Sequence, residues 1–421
     1  MAQEKAAYPR WKLRFFTVWI GQAFSLFGSQ LVQFALIWWL TQTTRSATVL
    51  ATATLVGVLP QVVLGPVAGP LIDRWNRKRV MIVADSLVAL TTLALAALFA
   101  AGTAQIWHVY LAMFIRAAAG GFHYPSMQAS TSLMVPDEQL SRVAGLNQML
   151  QGLMGIVAPP VGALLIGALP MQSVLAVDIG TAAVAVLAVL IVPIPQPARL
   201  AAAAGSALAV FWRDLRDGLG YIRSWMGLMA VMVFAMLLNF IIVPSVSLVA
   251  LLVTNHFSGG AGELAALNSA LGIGVVIGGI TLGVWGGFKR RVVTSLMGIV
   301  GMSVGFLLVG IAPPHLFGLA VAGFFIAGFM QPITNGPLFA VLQGVVAPEM
   351  QGRVFTLLMS SASLMMPLSL AVAGPLADSI GVQTMYLISG VVCLLMTAGA
   401  MFFPPLLNIE QNNRAVNAAA D

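Results

Sequence analysis

The chain has 421 residues, of which 59% are hydrophobic and 8% are charged, and its mean hydropathy is +0.96. Soluble globular domains carry about 25% charged residues, so this composition excludes a soluble fold and indicates an integral membrane protein. A net charge of +7 would suggest a nucleic-acid partner for a soluble protein. Here the Lys and Arg residues lie mainly in short loops and tails, so we interpret the excess as a topology signal and expect no nucleic-acid partner.

Twelve apolar runs long enough to cross a membrane lie between polar loop segments. A transmembrane helix needs roughly 20 apolar residues. The first run follows a cationic segment without a small-residue cleavage site, so we expect no removed signal peptide. The predicted spans are 15–40, 48–72, 80–101, 106–130, 143–167, 172–193, 226–254, 263–286, 292–312, 315–341, 354–377 and 383–407.

Basic residues fall almost entirely on one side of the predicted spans. They precede the first span and follow every second span after it, whereas the opposite loops hold only Arg45. Loops rich in Lys and Arg stay in the cytoplasm. We therefore predict a multi-pass protein of the bacterial cytoplasmic (inner) membrane with both termini in the cytoplasm.

The chain repeats itself at half its length. The basic run 77–80 recurs as 289–292, and Pro125 recurs as Pro337, each 212 residues later. The repeat predicts an all-α integral membrane protein with twelve transmembrane helices in two pseudo-symmetric six-helix bundles. The predicted domains are an N-terminal bundle (1–193), a cytoplasmic linker that holds an amphipathic surface helix or is simply solvated (194–225), a C-terminal bundle (226–407) and a cytoplasmic tail (408–421).

The segment 65–85, GPVAGPLIDRWNRKRVMIVAD, holds a cationic turn between the second and third spans. Its glycines permit close helix approach, and its acids can pair with its bases; from the residues we expect an Asp85–Arg77 pair. The segment resembles the signature loop of the major facilitator superfamily, whose fold also has twelve spans. That resemblance implies a conformational latch formed by Asp73, Arg74, Arg77 and Asp85. The alternative is that these charges only set the topology.

Arg116 lies about ten residues into the fourth span, roughly 15 Å deep. A charge at that depth is costly and usually marks a transport pathway or a proton relay. His123 falls on the same helical face, and Asp178 in the sixth span is the deep carboxylate available to balance Arg116. Arg116 with Gly120 resembles the motif of proton-coupled members of the family, so Arg116, Asp178 and His123 are the candidates for proton coupling. A purely structural role is the alternative.

Polar residues on otherwise apolar spans predict a large, adaptable, mostly apolar cavity. Four of them follow one another at steps of three or four residues on the first span, which places them on one face. Any of these residues could instead form an interhelical hydrogen bond. The candidates for the substrate cavity are Gln22, Ser25, Ser29, Gln33, Gln151, Asn239, Gln331, Asn335, Met359 and Ser363.

The sequence gives no sign of enzymatic or ATP-driven chemistry. It lacks the phosphate-binding loop of ATPases, and its four histidines have no metal-ligand spacing. Ser, His and Asp residues form no convincing catalytic grouping, and the single Cys393 excludes a disulfide framework. We expect no enzyme activity, no metal and no cofactor.

The first span carries the stretches FSLFGS (24–29) and FALIWWL (34–40), which resemble the macrolide-efflux-type subgroup of the family. The resemblance implies proton-driven export of hydrophobic drugs or related amphiphiles by a drug:proton antiporter, with protons, the substrate and membrane lipid as partners. We expect a monomer. Two alternatives are an exporter or flippase of a siderophore or lysolipid, and a non-transporting membrane receptor or assembly partner.

Overall fold

The computed structural model describes residues 10–136, 139–196 and 207–410, and these form helices joined by short turns, without any strand. The helices are α1 (Trp11–Thr44), α2 (Ala47–Arg74), α3 (Arg77–Ala100), α4 (Ile106–Met134), α5 (Leu140–Ala168), α6 (Met171–Ile191), α7 (Ala207–Ser224), α8 (Met226–Ser247), α9 (Val249–Leu251), α10 (Ala261–Trp285), α11 (Arg291–Ile311), α12 (Phe317–Val345), α13 (Pro348–Ile380), α14 (Val382–Met401) and α15 (Pro404–Leu407).

The twelve predicted spans correspond to α1–α6, α8 and α10–α14. Among the described residues, ten helices are both long enough and apolar enough to cross a membrane, and α2 adds the shorter apolar segment Ala47–Gln61. The twelfth predicted span to account for is α4. It has 29 residues, but it carries Arg116 and two histidines, which lower its hydropathy. The fold is therefore an all-α, multi-pass membrane bundle.

Two predicted spans are interrupted. The span predicted at 226–254 ends as α8 at Ser247 and continues through α9 into one π-helical turn, Leu252–His256. The span predicted at 383–407 stops at Met401, and Pro404 opens the separate short helix α15. Proline lacks a backbone N–H and so cannot continue a preceding helix, although it is suited to a first turn.

The chain divides into two compact units. One holds the described residues of Met1–Thr43 and Ala53–Ala204, and the other holds those of Thr44–Thr52 and Gly205–Asp421. The stretch Thr44–Thr52 groups with the second unit because it bonds to α13: Asp378 accepts hydrogen bonds from the backbone N–H groups of Ala47 (2.6 Å) and Thr48 (3.0 Å). A carboxylate there satisfies N–H groups that the helix itself leaves without partners.

The beginning of α3 shows how the cationic turn is used locally in the first unit. Asn76 caps α3 by accepting a hydrogen bond from the Arg79 N–H at 3.1 Å. Lys78 Nζ donates to the carbonyl groups of Leu190 (2.8 Å) and Val192 (3.0 Å) at the end of α6. A cation on the last carbonyl groups of a helix satisfies them and opposes the negative end of the helix dipole. The turn therefore ties α3 to α6.

We expect Lys78→Met to lower the free energy of unfolding by about 1 kcal/mol, because it removes the cation from the end of α6. Thermal unfolding of the purified protein in detergent measures this. Arg79→Met is the matched control, since it removes the same charge from the neighbouring, exposed position. Equal effects of the two substitutions would contradict the capping role of Lys78.

In the second unit, the described end of α7 packs against α13 instead of lying free. Ile222 is fully buried, and the Tyr221 hydroxyl accepts a hydrogen bond from the Ala347 N–H at 3.3 Å. Arg353 Nη1 lies 3.4 Å from Asp217 Oδ2. The apolar face of this amphipathic helix therefore packs against the protein, while its charged face stays exposed.

The internal duplication extends to hydrogen bonds that no sequence repeat displays. The first N–H of α3, from Arg77, donates to Gln196 Oε1 at 3.0 Å, and the first N–H of α11, from Arg291, donates to Glu410 Oε1 at 3.1 Å. Arg77 and Arg291 also both donate through Nη1 to a carbonyl of the next helix, Ala129 and Ala340. Arg291, and not Lys289, is therefore the structural counterpart of Arg77, and the predicted alignment of the two basic runs was wrong by two residues.

Candidate functional site

The first unit contains a cavity of about 630 Å³. Five helices, α1 to α5, contribute its lining, which combines apolar side chains with amides, hydroxyls and two aromatic groups, Trp19 and Tyr124. This volume lies in the range of sites that hold drug-sized ligands. Its lining includes Gln22, Ser25, Ser29, Gln33 and Gln151, which are the predicted cavity residues of this unit, and also Asp85, Arg116 and His123.

A buried ion pair crosses the first unit from α4 to α6. Arg116 Nη1 lies 2.5 Å from Asp178 Oδ2, and Asp178 is completely buried. Thr92 Oγ1 accepts a hydrogen bond from Arg116 at 2.6 Å and lies 2.9 Å from the same carboxylate oxygen. Ser29 donates to the other oxygen, Oδ1, at 3.2 Å. Both oxygens of Asp178 are therefore occupied, as a buried charge requires.

Gly28 allows α1 to approach Asp178. A Cβ atom at this position would lie 3.0 Å from the Asp178 Cα and 3.1 Å from its Oδ1, and it would overlap the Thr181 hydroxyl. Any larger residue would push α1 away from α6. The FSLFGS stretch of α1 thus contributes both the glycine that permits the contact and Ser29, which makes it.

A second acid–base pair lies closer to the cavity. His123 Nε2 is 3.3 Å from Asp85 Oδ1, although the two are not aligned as a hydrogen bond, and Gln22 donates to Asp85 Oδ2 at 2.9 Å. The side chain of His123 retains 20% of its exposure and that of Asp85 retains 9%. This pair therefore remains open to the cavity, whereas Asp178 is sealed from it.

The expected Asp85–Arg77 pair was wrong. Asp85 lies eight residues beyond Arg77, which is about 12 Å along α3, so the two side chains cannot meet. Asp85 instead lies at the cavity, and Arg77 contacts α4 through Ala129. The side chains of Asp73 and Arg74 lie outside the described residues, so the latch stays a prediction for Asp73, Arg74 and Arg77.

The predicted cavity residues of the second unit do not all come together. Asn239, Gln331 and Asn335 line a separate, smaller cavity of about 190 Å³. Met359 and Ser363 are exposed on α13 and belong to the lining of neither cavity. Within the parts of the chain that the structure describes, no three His, Cys, Asp or Glu side chains gather as a metal site.

Sequence reasoning missed three contributors to the site: Thr92 of the buried ion-pair network, and Trp19 and Gln61 of the cavity lining. Thr92 follows Asp85 by seven residues, which is the same face of α3, so helical spacing could have revealed it. Trp19 donates through Nε1 to Asn147 Oδ1 at 2.8 Å, and Gln61 reaches the cavity from α2. Trp19 precedes Gln22 by three residues, so helical spacing could have revealed it too, whereas nothing in the sequence singles out Gln61.

Comparison with known proteins agrees with this geometry. The family model described as "Major Facilitator Superfamily" matches residues 18–250 and 225–418 of the chain. The chain belongs to the major facilitator superfamily. Two overlapping matches to one family agree with the duplicated helix order, and membership makes the protein a membrane transporter and not an enzyme.

This major facilitator chain is 36% identical over 389 residues to macrolide efflux protein A of Streptococcus pyogenes, which covers 92% of the chain and 95% of that protein. It is 25% identical over 401 residues to the multidrug efflux pump Tap of Mycolicibacterium fortuitum, covering 91% of the chain and 94% of the pump. The subgroup resemblance is thus confirmed. The protein is homologous to macrolide and multidrug efflux pumps and has a small-molecule substrate.

Among solved structures, a POT family transporter in complex with a thioalcohol-conjugated peptide superposes with a TM-score of 0.74. The match covers 93% of this chain and 96% of the transporter at 10% identity. At that identity the likeness concerns the fold alone, and it confirms the predicted major facilitator architecture.

Proposed function

We propose that this protein exports hydrophobic or amphiphilic small molecules, such as macrolide-like drugs, from the bacterial cytoplasm in exchange for protons. The cavity of the first unit is the observation that carries the proposal, because it is large, mostly apolar and lined by Arg116 and by the Asp85–His123 pair. Its amides and hydroxyls offer hydrogen bonds to the polar groups of an amphiphile, and its aromatic and aliphatic side chains cover the remainder. Homology to macrolide and multidrug efflux pumps supports the same substrate class.

In this proposal, Asp85 and His123 take up and release the protons. Both side chains border the cavity and retain contact with it. A proton can reach them by the route that the substrate uses, and the charge of the pair then differs between the loaded and empty states. Histidine and carboxylate side chains are the usual carriers of protons inside transporters.

Arg116 and Asp178 have a positioning role. Asp178 has no exposed surface, and three side chains already bond its two oxygens, so protonating it would break a satisfied network. The pair holds α4 against α6 and thereby fixes the rotation of α4 about its axis. That rotation directs His123 toward Asp85. Substrate and protons would then compete for one cavity that opens to either side of the membrane in turn, as the family's alternating-access cycle requires.

The proposed orientation has both termini in the cytoplasm. The basic residues at the beginnings of α3 and α11 support it, since positively charged loops remain on that side of the membrane. Export then means movement from the side that carries these two basic turns to the opposite side.

The experiment that tests this function is ligand-evoked proton flux in proteoliposomes that enclose a pH-sensitive dye. With an imposed pH gradient, we expect a macrolide antibiotic to accelerate the collapse of the gradient several-fold over protein-free vesicles. Lysophospholipid and siderophore arms run in parallel, and flux with one of them alone would replace the drug proposal. If no ligand of the panel evokes flux, proton antiport is wrong.

A further inference from the structure

The smaller cavity lies wholly within the second unit. Residues of α8, α11 and α12, together with Leu406, enclose about 190 Å³. For scale, an apolar cavity of about 150 Å³ in another protein holds one benzene molecule. The cavity therefore fits one six-membered ring with a small substituent, and it is too small for the drug-sized molecules proposed for the first unit.

Its lining is apolar at the core and polar at one edge. Phe234, Leu238, Ile242, Ile299 and other aliphatic side chains form the walls. The edge is amide-bearing, because the side chains of Gln331 and Asn335 are exposed there. A ligand can therefore enter past hydrogen-bonding groups and bury its ring among hydrocarbon.

One hydroxyl of the lining is buried and has no partner. Ser295 on α11 retains 4% of its exposure, and its Oγ meets no hydrogen-bond partner among the described residues. The nearby polar groups are used internally: Thr334 donates to the Met330 carbonyl at 3.0 Å, and Asn239 Nδ2 donates to the Ala235 carbonyl at 2.9 Å. A buried polar group without a partner costs free energy, so a ligand that supplies one gains affinity.

We infer that this cavity is a second small-molecule site, which binds single-ring aromatic amphiphiles whose polar substituent hydrogen-bonds to the Ser295 hydroxyl. The site is distinct from the first cavity in both its helices and its size. Its occupancy needs neither protons nor transport, so the inference stands apart from the proposed export function.

The test compares two probes that differ by one hydroxyl, 4-fluorophenol and fluorobenzene, by fluorine NMR with the full chain in lipid nanodiscs. Empty nanodiscs correct for partition into lipid. We expect 4-fluorophenol to bind the unsubstituted protein more tightly. Ser295→Ala should weaken its binding by about threefold to tenfold and leave fluorobenzene unchanged, since one hydrogen bond is lost.

Ser303→Ala is the matched control. Ser303 is also buried on α11, but its hydroxyl already donates to the Ile299 carbonyl at 2.8 Å. It should therefore preserve the preference for the phenol. Ala235→Phe places a ring inside the cavity and should abolish binding of both probes.

Two results would overturn the inference. One is an unchanged preference for 4-fluorophenol in Ser295→Ala, and the other is full binding of both probes in Ala235→Phe. Ser295→Ala removes a buried hydroxyl without a partner, so it should fold at least as stably as the unsubstituted chain. The test therefore remains decisive even if Ala235→Phe does not fold.

Discussion

Arg116→Ala is expected to destabilise the protein by about 3 to 5 kcal/mol, which is the typical effect of removing one partner from a buried ion pair. The substitution leaves the fully buried Asp178 with only Ser29 and Thr92 as partners. Two hydroxyls do not balance a carboxylate that is cut off from water. Thermal unfolding in detergent, with the yield of folded protein after membrane extraction, measures the loss.

The double variant Arg116→Met with Asp178→Leu separates stability from transport. Replacing both charges by apolar groups removes the unbalanced charge, so we expect most of the lost stability to return. If Arg116 and Asp178 only position α4, the double variant also retains ligand-evoked proton flux. A folded double variant that has lost all flux would instead assign proton transfer to this pair.

Asp85→Asn is expected to abolish uphill, proton-driven export while it leaves downhill exchange of the substrate across the same vesicles in place. The amide keeps the shape of the side chain and its contact with Gln22, but it cannot take up a proton. Export against a gradient should fall to the level of protein-free vesicles. The measurement is accumulation of labelled macrolide with and without an imposed pH gradient.

Asp217→Asn is the control for this experiment, because Asp217 is an exposed carboxylate of α7 that lies 3.4 Å from Arg353 and outside the cavity. It should leave coupling unchanged. His123→Gln should reproduce the loss seen with Asp85→Asn if the two residues act as one site. Uphill export that survives both substitutions would remove them from the coupling mechanism.

Much of the fold and part of the site could be predicted from the sequence, because both follow from strong energetic constraints. The cost of a charge in hydrocarbon means that the few deep charges must meet, so Arg116 and Asp178 could be matched before the helices were placed. The polar face of α1 could be predicted for a similar reason, since polar residues at helical spacing on an apolar span lie on one face of the helix.

The remaining errors arose where the answer depends on helix register. Asp85 was matched with Arg77 because both belong to one sequence motif, but the helical rise separates them and turns Asp85 to His123 of the neighbouring helix. Likewise, the runs 77–80 and 289–292 look alike in sequence. The hydrogen bonds nevertheless show that Arg291, and not Lys289, occupies the position in the second unit that Arg77 occupies in the first. Contacts between helices are decided by packing, which a single sequence does not encode locally.

The two bundles differ in where they carry charge. In the first, Asp85, Arg116 and Asp178 lie well inside α3, α4 and α6. In the second, the charged residues of the spans lie near helix ends, and Gly328, which aligns with Arg116 at the predicted repeat distance, packs against the backbone of Leu271. An electric field across a membrane does work only on charge that moves within it. The transmembrane voltage must therefore act on this transporter chiefly through its first bundle, and any voltage dependence should disappear with the charges there.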